Sequence, residues 1–206
     1  MKQPSARLIF NNKGVDKGYI LCNGTESYFK KLRNAYQDIK NDKDSDYLYF
    51  GFITLSAATL EYSLNFTLTD FCLNHFGHDD YKNYAVGYIN LPFPKKLLMS
   101  PTIISNGKYR FKENNSHFNT LNELITLRNR ILHNKEFLKE FDFPPKNDNK
   151  EKRIIEFELS MKPNYIDSLT KESCLKFGDA LGKFKLFFMT PALNNSLESN
   201  EMLIEI

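Results

Sequence analysis

The stretch YLYFGFITLSAATLEYSLNFTL, from Tyr47 to Leu68, is apolar at nearly every position. A helix that is apolar on all sides is typical of one covered by neighbouring elements in several directions. The apolar pattern continues to Phe76, and Gly77 is a residue typical of helix ends. We therefore predict a central helix over about 47–76 with other helices packed around it.

The same stretch is long enough to cross a bilayer. It contains, however, Glu61, Asn65 and several serines and threonines, which are costly in hydrocarbon. The first residues, MKQPSARLIF, lack the continuous apolar segment and cleavage site of a secretory signal. We expect a cytoplasmic protein with no membrane segment.

Three further segments have apolar residues at helical spacing, so each predicts a helix with one buried face. Thr25 and Ser116 stand at the start of the first two segments and are typical N-cap residues. The third segment begins near Ser168 or Thr170 and ends before Pro191. With the central helix, the predicted core helices cover about 25–40, 47–76, 116–140 and 168–190.

Short alternating runs predict a minor β element. An N-terminal hairpin, RLIFNNKGVDKGYILCNG, surrounds an Asn-Lys-Gly turn, and the later run RIIEFELSM and the tail have strand-like patterns. The predicted β segments cover about 7–22, 153–160 and 201–206. Between the central helix and Ser116, the residues Pro92, Pro94 and Pro101 favour a short helix and loops.

The length of 206 residues suits one buried core rather than two. We therefore expect a single domain over 1–206, a mainly α helical bundle with a minor β element from the N-terminal hairpin and the C-terminal strands.

The composition excludes few partners. A net charge of +3 permits contact with nucleic acid without requiring it. The three cysteines are far apart and odd in number, so we expect buried small hydrophobes in a reducing compartment, with no disulfide and no zinc. The sequence has no phosphate-binding glycine loop, nucleophile elbow or cysteine pair, so kinase, ordinary hydrolase and redox functions lack support. We expect no cofactor.

Three histidines have ordinary structural interpretations. His75 and His78 lie three residues apart beside Asp79 and Asp80, a spacing that can hold a metal. Because a full ligand set is missing, we interpret this cluster as a solvated helix end and expect no metal site. His117 falls in the first turn of the helix over 116–140 and is expected to be exposed.

One arginine interrupts the apolar stripe of the helix over 116–140. Arg128 lies in the segment LRNRILHN, where the stripe calls for a hydrophobic residue. A buried, unpaired charge is strongly destabilising, so Arg128 requires a carboxylate, a solvated groove or a bound anion. Glu61 is the one charged residue between Tyr47 and Leu68. We predict that Glu61 lies near Arg128 when the two helices pack.

His133 follows Arg128 by five positions (133 − 128). At 100° per residue the two side chains point about 140° apart around one helix. Asn129 and Arg130 are four and three residues before His133 and share a face with it. Arginine's length, a loosened last turn or a second subunit must therefore bring Arg128 and His133 into one site.

The motif RNRILH resembles the Arg-x4-6-His signature of HEPN domains, and SAATLEYSLN resembles the companion helix with its acidic residue. The resemblance covers about 47–76 and 116–138 and extends to the last helix, while the N-terminal hairpin and the strand after Pro145 lie outside it. HEPN domains are helical bundles that usually form two-fold dimers. Many are metal-independent ribonucleases of toxin–antitoxin, phage-defence and CRISPR-associated systems.

The resemblance implies a catalytic set of Arg128, Asn129 and His133, with one copy from each protomer across a dimer cleft. His133 suits proton transfer near neutral pH, and Arg128 suits phosphate oxygens. Arg130 and Lys135 are candidate contacts to the RNA backbone, and Glu61 supports the arginine. The expected partners are a second copy of the chain, an RNA substrate, and an antitoxin or defence-system protein.

Two other interpretations remain open. A non-catalytic HEPN module would use its dimer surface or arginine pocket to bind a protein or a nucleotide. A helical protein unrelated to this family would keep Arg128 and Glu61 only as a buried ion pair that sets the packing of two helices. In that last case His133 is dispensable.

Overall fold

The computed structural model describes residues 6–10, 18–41, 45–111, 115–132 and 169–188. These residues form five helices and one antiparallel pair of strands, which confirms the predicted mainly α fold. The strands are β1 (Ala6–Phe10) and β2 (Gly18–Cys22), so the predicted N-terminal hairpin pairs as expected. The helices are α1 (Thr25–Lys40), α2 (Asp46–Ile89), α3 (Phe93–Ile104), α4 (Ser116–Leu132) and α5 (Lys171–Phe188).

Several predictions about the second half of the chain fall on residues outside the described ranges. The strands over 153–160 and 201–206 lie outside the described residues, as do the parts of the last two predicted helices beyond 132 and 188.

Helix α2 is the centre of the bundle, because it contacts each of the other four helices. Its side chains Phe52, Ile53, Leu60, Leu64 and Leu68 are almost completely buried. The prediction of a central helix covered on several sides is therefore confirmed. None of the described helices combines the length and the apolar character that a membrane span requires.

Five hydroxyl groups of α2 bond to carbonyl groups of the helix itself. Thr59 donates its hydroxyl to the carbonyl oxygen of Leu55, and Ser63 to that of Thr59, both at 2.7 Å. Thr54, Thr67 and Thr69 bond four residues back in the same way. Thr59 and Ser63 are fully buried, where a hydroxyl without a partner would be costly. These bonds allow polar residues to face the core.

Gly77 breaks the helical geometry of α2 without ending the element. Its φ of 77° lies in the left-handed region that favours glycine, and its ψ is 174°. The regular helix therefore ends at Gly77, as predicted, and a second helical stretch that was not expected continues within the same element as far as Ile89. In the helical stretch after Gly77, the side chain of Ala85 is buried. No proline interrupts this stretch before Pro92.

Two of the N-caps differ from prediction. Helix α1 begins at Thr25, but Gly24 occupies the cap position. Helix α4 begins at Ser116, and its cap is Asn115, whose Oδ1 accepts a hydrogen bond from the second helical backbone N–H at 2.8 Å. Asparagine and serine cap helices about equally well, so the presence of Ser116 does not by itself identify the cap residue. Helix α5 begins after Thr170, as predicted, and the Thr170 Oγ1 accepts a backbone N–H at 3.2 Å.

Helices α1 and α5 approach each other closely at Gly178. A Cβ atom at this position would overlap the ring of Tyr36, and the Tyr36 hydroxyl donates to Oδ1 of Asp179 at 2.7 Å. The ring therefore cannot move away without losing that hydrogen bond. At Gly182, one turn further along α5, a Cβ atom would meet no neighbouring atom within 4 Å.

We expect Gly178→Ala to lower the free energy of unfolding by about 1–3 kcal/mol, the usual cost of overpacking. Gly182→Ala should instead raise it by about 0.5–1 kcal/mol, because alanine is the better helix former and meets no neighbour there. Urea denaturation followed by circular dichroism measures both. Equal effects of the two substitutions would contradict the close approach of α1 and α5.

Candidate functional site where α2, α3 and α4 meet

The predicted contact between Glu61 and Arg128 is present. Glu61 lies on α2 and Arg128 on α4, and these helices pack against each other. Nη2 of Arg128 is 3.9 Å from Oε2 of Glu61. This is an ionic contact that is longer than a hydrogen bond. The prediction that the two charges lie near each other is confirmed.

Arg128 lies at the rim of the core and not in its centre. Leu121, Leu124 and Ile125 are fully buried, but the Arg128 side chain is 27% exposed and Leu132 is 43% exposed. Other apolar residues of the last turns still pack against the core, so Arg128 lies at its edge. The carboxylate that this charge was expected to require is present, and solvent reaches the guanidinium group as well.

This exposure changes what the ion pair can do. The Glu61 side chain is 36% exposed, so water reaches both partners. Exposed pairs contribute only about 0–1 kcal/mol to stability, which makes a purely structural role a weak explanation for this one. A partly exposed guanidinium group is also accessible to an anion, for which its planar donors are well suited.

Asn129 holds the guanidinium group from a second direction. Nη1 of Arg128 donates a hydrogen bond to Oδ1 of Asn129 at 2.9 Å. Neighbouring residues on a helix point about 100° apart, so the length of the arginine side chain is what closes this contact. The resemblance places Asn129 in the catalytic set, and in the described residues its side chain orients Arg128.

Lys96 of α3 belongs to the same cluster and was missed by sequence reasoning. This residue is only 3% exposed, and its Nζ donates to Oδ1 of Asn65 at 2.6 Å. Asn65 stands one turn after Glu61 on α2, so both side chains face the same way. Burial lowers the pKa of Lys96, and the negative charge of Glu61 opposes that shift.

A signal for Lys96 is present in the sequence. The buried face of α3 is formed by residues at helical spacing, namely Phe93, Lys96, Leu97, Ser100 and Pro101. A lysine inside such a stripe is the same anomaly as Arg128 in α4. It was overlooked because the prolines favoured loops in this region, whereas Phe93 and Pro94 begin a helix and Pro101 is accommodated within it.

The remaining predicted site residues are less well placed. Arg130 is exposed in the last turn of α4. His133 and Lys135 lie outside the described residues, since α4 is described as far as Leu132. The distance between Arg128 and His133 therefore stays a prediction from helical spacing.

The prediction that His117 is exposed is wrong. Its side chain is half-buried, and burial together with the positive charge of Lys183 lowers its pKa. The reason is that α4 packs against α5 from its first turns.

The histidines of α2 have aromatic neighbours. His75 stacks on Phe71 with ring centroids 5.4 Å apart and meets the ring of Phe76 edge-on. His78 lies near Tyr81, and its Nδ1 is 3.6 Å from Oδ1 of Asp79. In the part of the chain that the structure describes, no three His, Cys, Asp or Glu side chains converge as a metal site would require.

The three cysteines are unpaired. Cys72 and Cys174 are buried, as expected of small hydrophobes, and burial raises the pKa of the Cys174 thiol to about 12. Cys22 is exposed, so the expectation of burial is wrong for this residue, which is the last of strand β2.

The described cluster combines two cations, Lys96 and Arg128, with one carboxylate, Glu61. Such a site favours an anionic ligand at the cation that solvent reaches, the guanidinium group of Arg128. Comparison of the chain with protein-family models, with curated proteins and with solved structures found no significant match.

Proposed function

We propose that the protein is a metal-independent endoribonuclease of HEPN type that acts as a homodimer. The observation that carries this proposal is the contact between Glu61 and Arg128 across α2 and α4, at the rim of a helical bundle. The two helices that make this contact are the ones that resemble the motif helix of HEPN domains and its companion helix with an acidic residue. The exposure of Arg128 supports a ligand-binding role over a purely structural one.

The reaction uses the RNA's own 2′-hydroxyl as the nucleophile. The 2′-oxygen forms a bond to the adjacent phosphorus while the bond from phosphorus to the 5′-oxygen breaks. The products are a 2′,3′-cyclic phosphate and a 5′-hydroxyl. One imidazole of His133 takes the proton of the 2′-hydroxyl, and a protonated imidazole gives a proton to the departing 5′-oxygen. Arg128 stabilises the charge that develops on the phosphate oxygens.

A dimer explains how these groups share one site. If α4 continued with ideal geometry to position 133, Arg128 and His133 would point about 140° apart, so we infer that a second protomer supplies the missing partner. Two protomers related by a two-fold axis place both pairs around a common cleft. Arg130 and Lys135 then contact the RNA backbone through its phosphates. We place this activity in the cytoplasm, in a toxin or defence effector that a partner protein restrains.

The test is incubation of the purified protein with single-stranded and structured RNA in excess chelator. Cleavage should persist, and the products should end in a cyclic phosphate and a 5′-hydroxyl. A matched substrate with 2′-deoxyribose at the mapped cleavage site should stay intact, because it lacks the nucleophile. Sedimentation of the same sample should show a dimer.

Two outcomes contradict the proposal. Cleavage of the 2′-deoxy substrate would exclude attack by the 2′-hydroxyl. Failure of a dimeric wild-type protein to cut any RNA would instead favour the non-catalytic HEPN module that binds a protein or a nucleotide.

A further inference from the structure

The ammonium group of Lys96 has little compensation for its burial. Its hydrogen-bond acceptor among the described residues is the neutral amide oxygen of Asn65, at 2.6 Å. An amide oxygen solvates a cation but does not neutralise it. Glu61 stands one turn before Asn65 on the same face of α2, so its carboxylate lies on the side of α2 that Lys96 contacts, and its negative charge opposes the effect of burial on the pKa of Lys96. Glu61 therefore serves two cations, one on α3 and one on α4.

We propose that Lys96 and Asn65 are positioning residues that keep Arg128 available for a phosphate oxyanion by sharing the charge of Glu61. This inference rests on the proposed function for its ligand, the phosphodiester of RNA. It adds a role for two residues that the Arg-His motif does not include.

The geometry around Arg128 fits this division of charge. Glu61 stays 3.9 Å from Nη2 of Arg128, beyond hydrogen-bond length, while Nη1 is bonded to the neutral Asn129. The charges of Lys96, Glu61 and Arg128 sum to +1 − 1 + 1 = +1. Lys96 is buried, whereas solvent reaches Arg128. A ligand therefore meets the net positive charge of the cluster at Arg128.

Asn65→Asp is the most direct test. The substitution keeps the size of the side chain and the oxygen that accepts from Lys96, but it adds a carboxylate beside the ammonium group. Lys96 then pairs with residue 65, and Glu61 is released to close on Arg128. The net charge of the cluster falls from +1 to 0, so the affinity for an anion should fall while the fold is retained.

The probe is inorganic phosphate, titrated at low ionic strength into the full chain labelled with ¹⁵N. The readout is the Nε–Hε resonance of Arg128, assigned by its disappearance in Arg128→Lys. We expect Asn65→Asp to weaken phosphate binding about fivefold, the ratio that corresponds to about 1 kcal/mol at 25 °C. Its melting temperature should be unchanged or higher, because the buried ammonium group gains a counterion.

Two further variants complete the experiment. Lys96→Met removes the ammonium group and keeps an unbranched side chain of similar length, and it should weaken phosphate binding to a similar extent. Asn119→Asp is the matched control, because it adds the same charge at an exposed site on α4, nine residues (128 − 119) or about 13 Å from Arg128. The control should bind phosphate as the wild type does.

Phosphate affinity in Asn65→Asp equal to that of the wild type, or no response of Arg128 to phosphate in the wild type, would overturn the inference. If Lys96 were only structural, the variants would change melting temperature and leave phosphate affinity alone. A wild type that fails to cut RNA but shows the expected phosphate affinities would refute the ribonuclease and leave the positioning role intact.

Discussion

Replacement of Arg128 or His133 by alanine is expected to slow RNA cleavage about 100- to 10,000-fold. The lower part of this range is typical of losing one donor to a developing oxyanion, and the upper part of losing a general acid or base. Arg128 is 27% exposed, so its removal should change the free energy of unfolding by no more than about 1 kcal/mol. Single-turnover cleavage of one labelled RNA measures the rate, and thermal melting checks the fold.

Arg130→Ala is the matched control for Arg128→Ala. It removes the same charge from an exposed position two residues further along α4. Loss of a contact to the RNA backbone should weaken RNA binding modestly and in a salt-dependent way. It should have little effect on the single-turnover rate at saturating enzyme. Equal loss of rate in the two arginine variants would contradict a specific role for Arg128. Full activity of His133→Ala would contradict the proton-transfer role and favour a fold unrelated to HEPN domains.

Replacement of Phe52 by alanine is expected to lower the free energy of unfolding by about 3–5 kcal/mol. Phe52 is 1% exposed on α2, its ring centroid lies 6.3 Å from that of Tyr36 on α1, and it also borders Gly178 on α5. The cavity left by the ring therefore opens where three helices meet. Urea denaturation monitored by circular dichroism measures the change.

Tyr47→Ala provides the comparison for Phe52→Ala. It truncates an aromatic side chain on the same helix, but Tyr47 is 81% exposed. A change within about 0.5 kcal/mol is expected there. A small effect of Phe52→Ala, similar to that of Tyr47→Ala, would mean that α2 is not the packed centre of the bundle.

The fold was predictable where periodicity is strong. The continuous apolar pattern after Tyr47 required a helix with neighbours on several sides, and α2 has them. The ends of elements were harder, because several residues cap or interrupt a helix equally well. Asn115 caps α4 in place of the predicted Ser116, and the helical stretch that follows the break at Gly77 was not predicted.

The site was predictable only in part, and for an electrostatic reason. Glu61 and Arg128 were linked because each is a charge in an apolar pattern, and such charges need partners. The pattern alone does not give the exposure of a side chain at the edge of the core, so it left open whether a carboxylate, a solvated groove or an anion meets Arg128. Lys96 is likewise a charge in an apolar stripe, that of α3, but the prolines of this region predict loops and so hide the stripe.

The hydroxyl bonds within α2 have a consequence for how this bundle can change over evolutionary time. Thr59 and Ser63 direct their hydrogen bonds to carbonyl groups of their own helix. Neighbouring helices therefore meet these positions as if they were apolar. Substitutions on α1, α3, α4 or α5 can alter the packing around α2 without stranding either hydroxyl, so the surrounding helices are free to diverge while the central one keeps its polar residues.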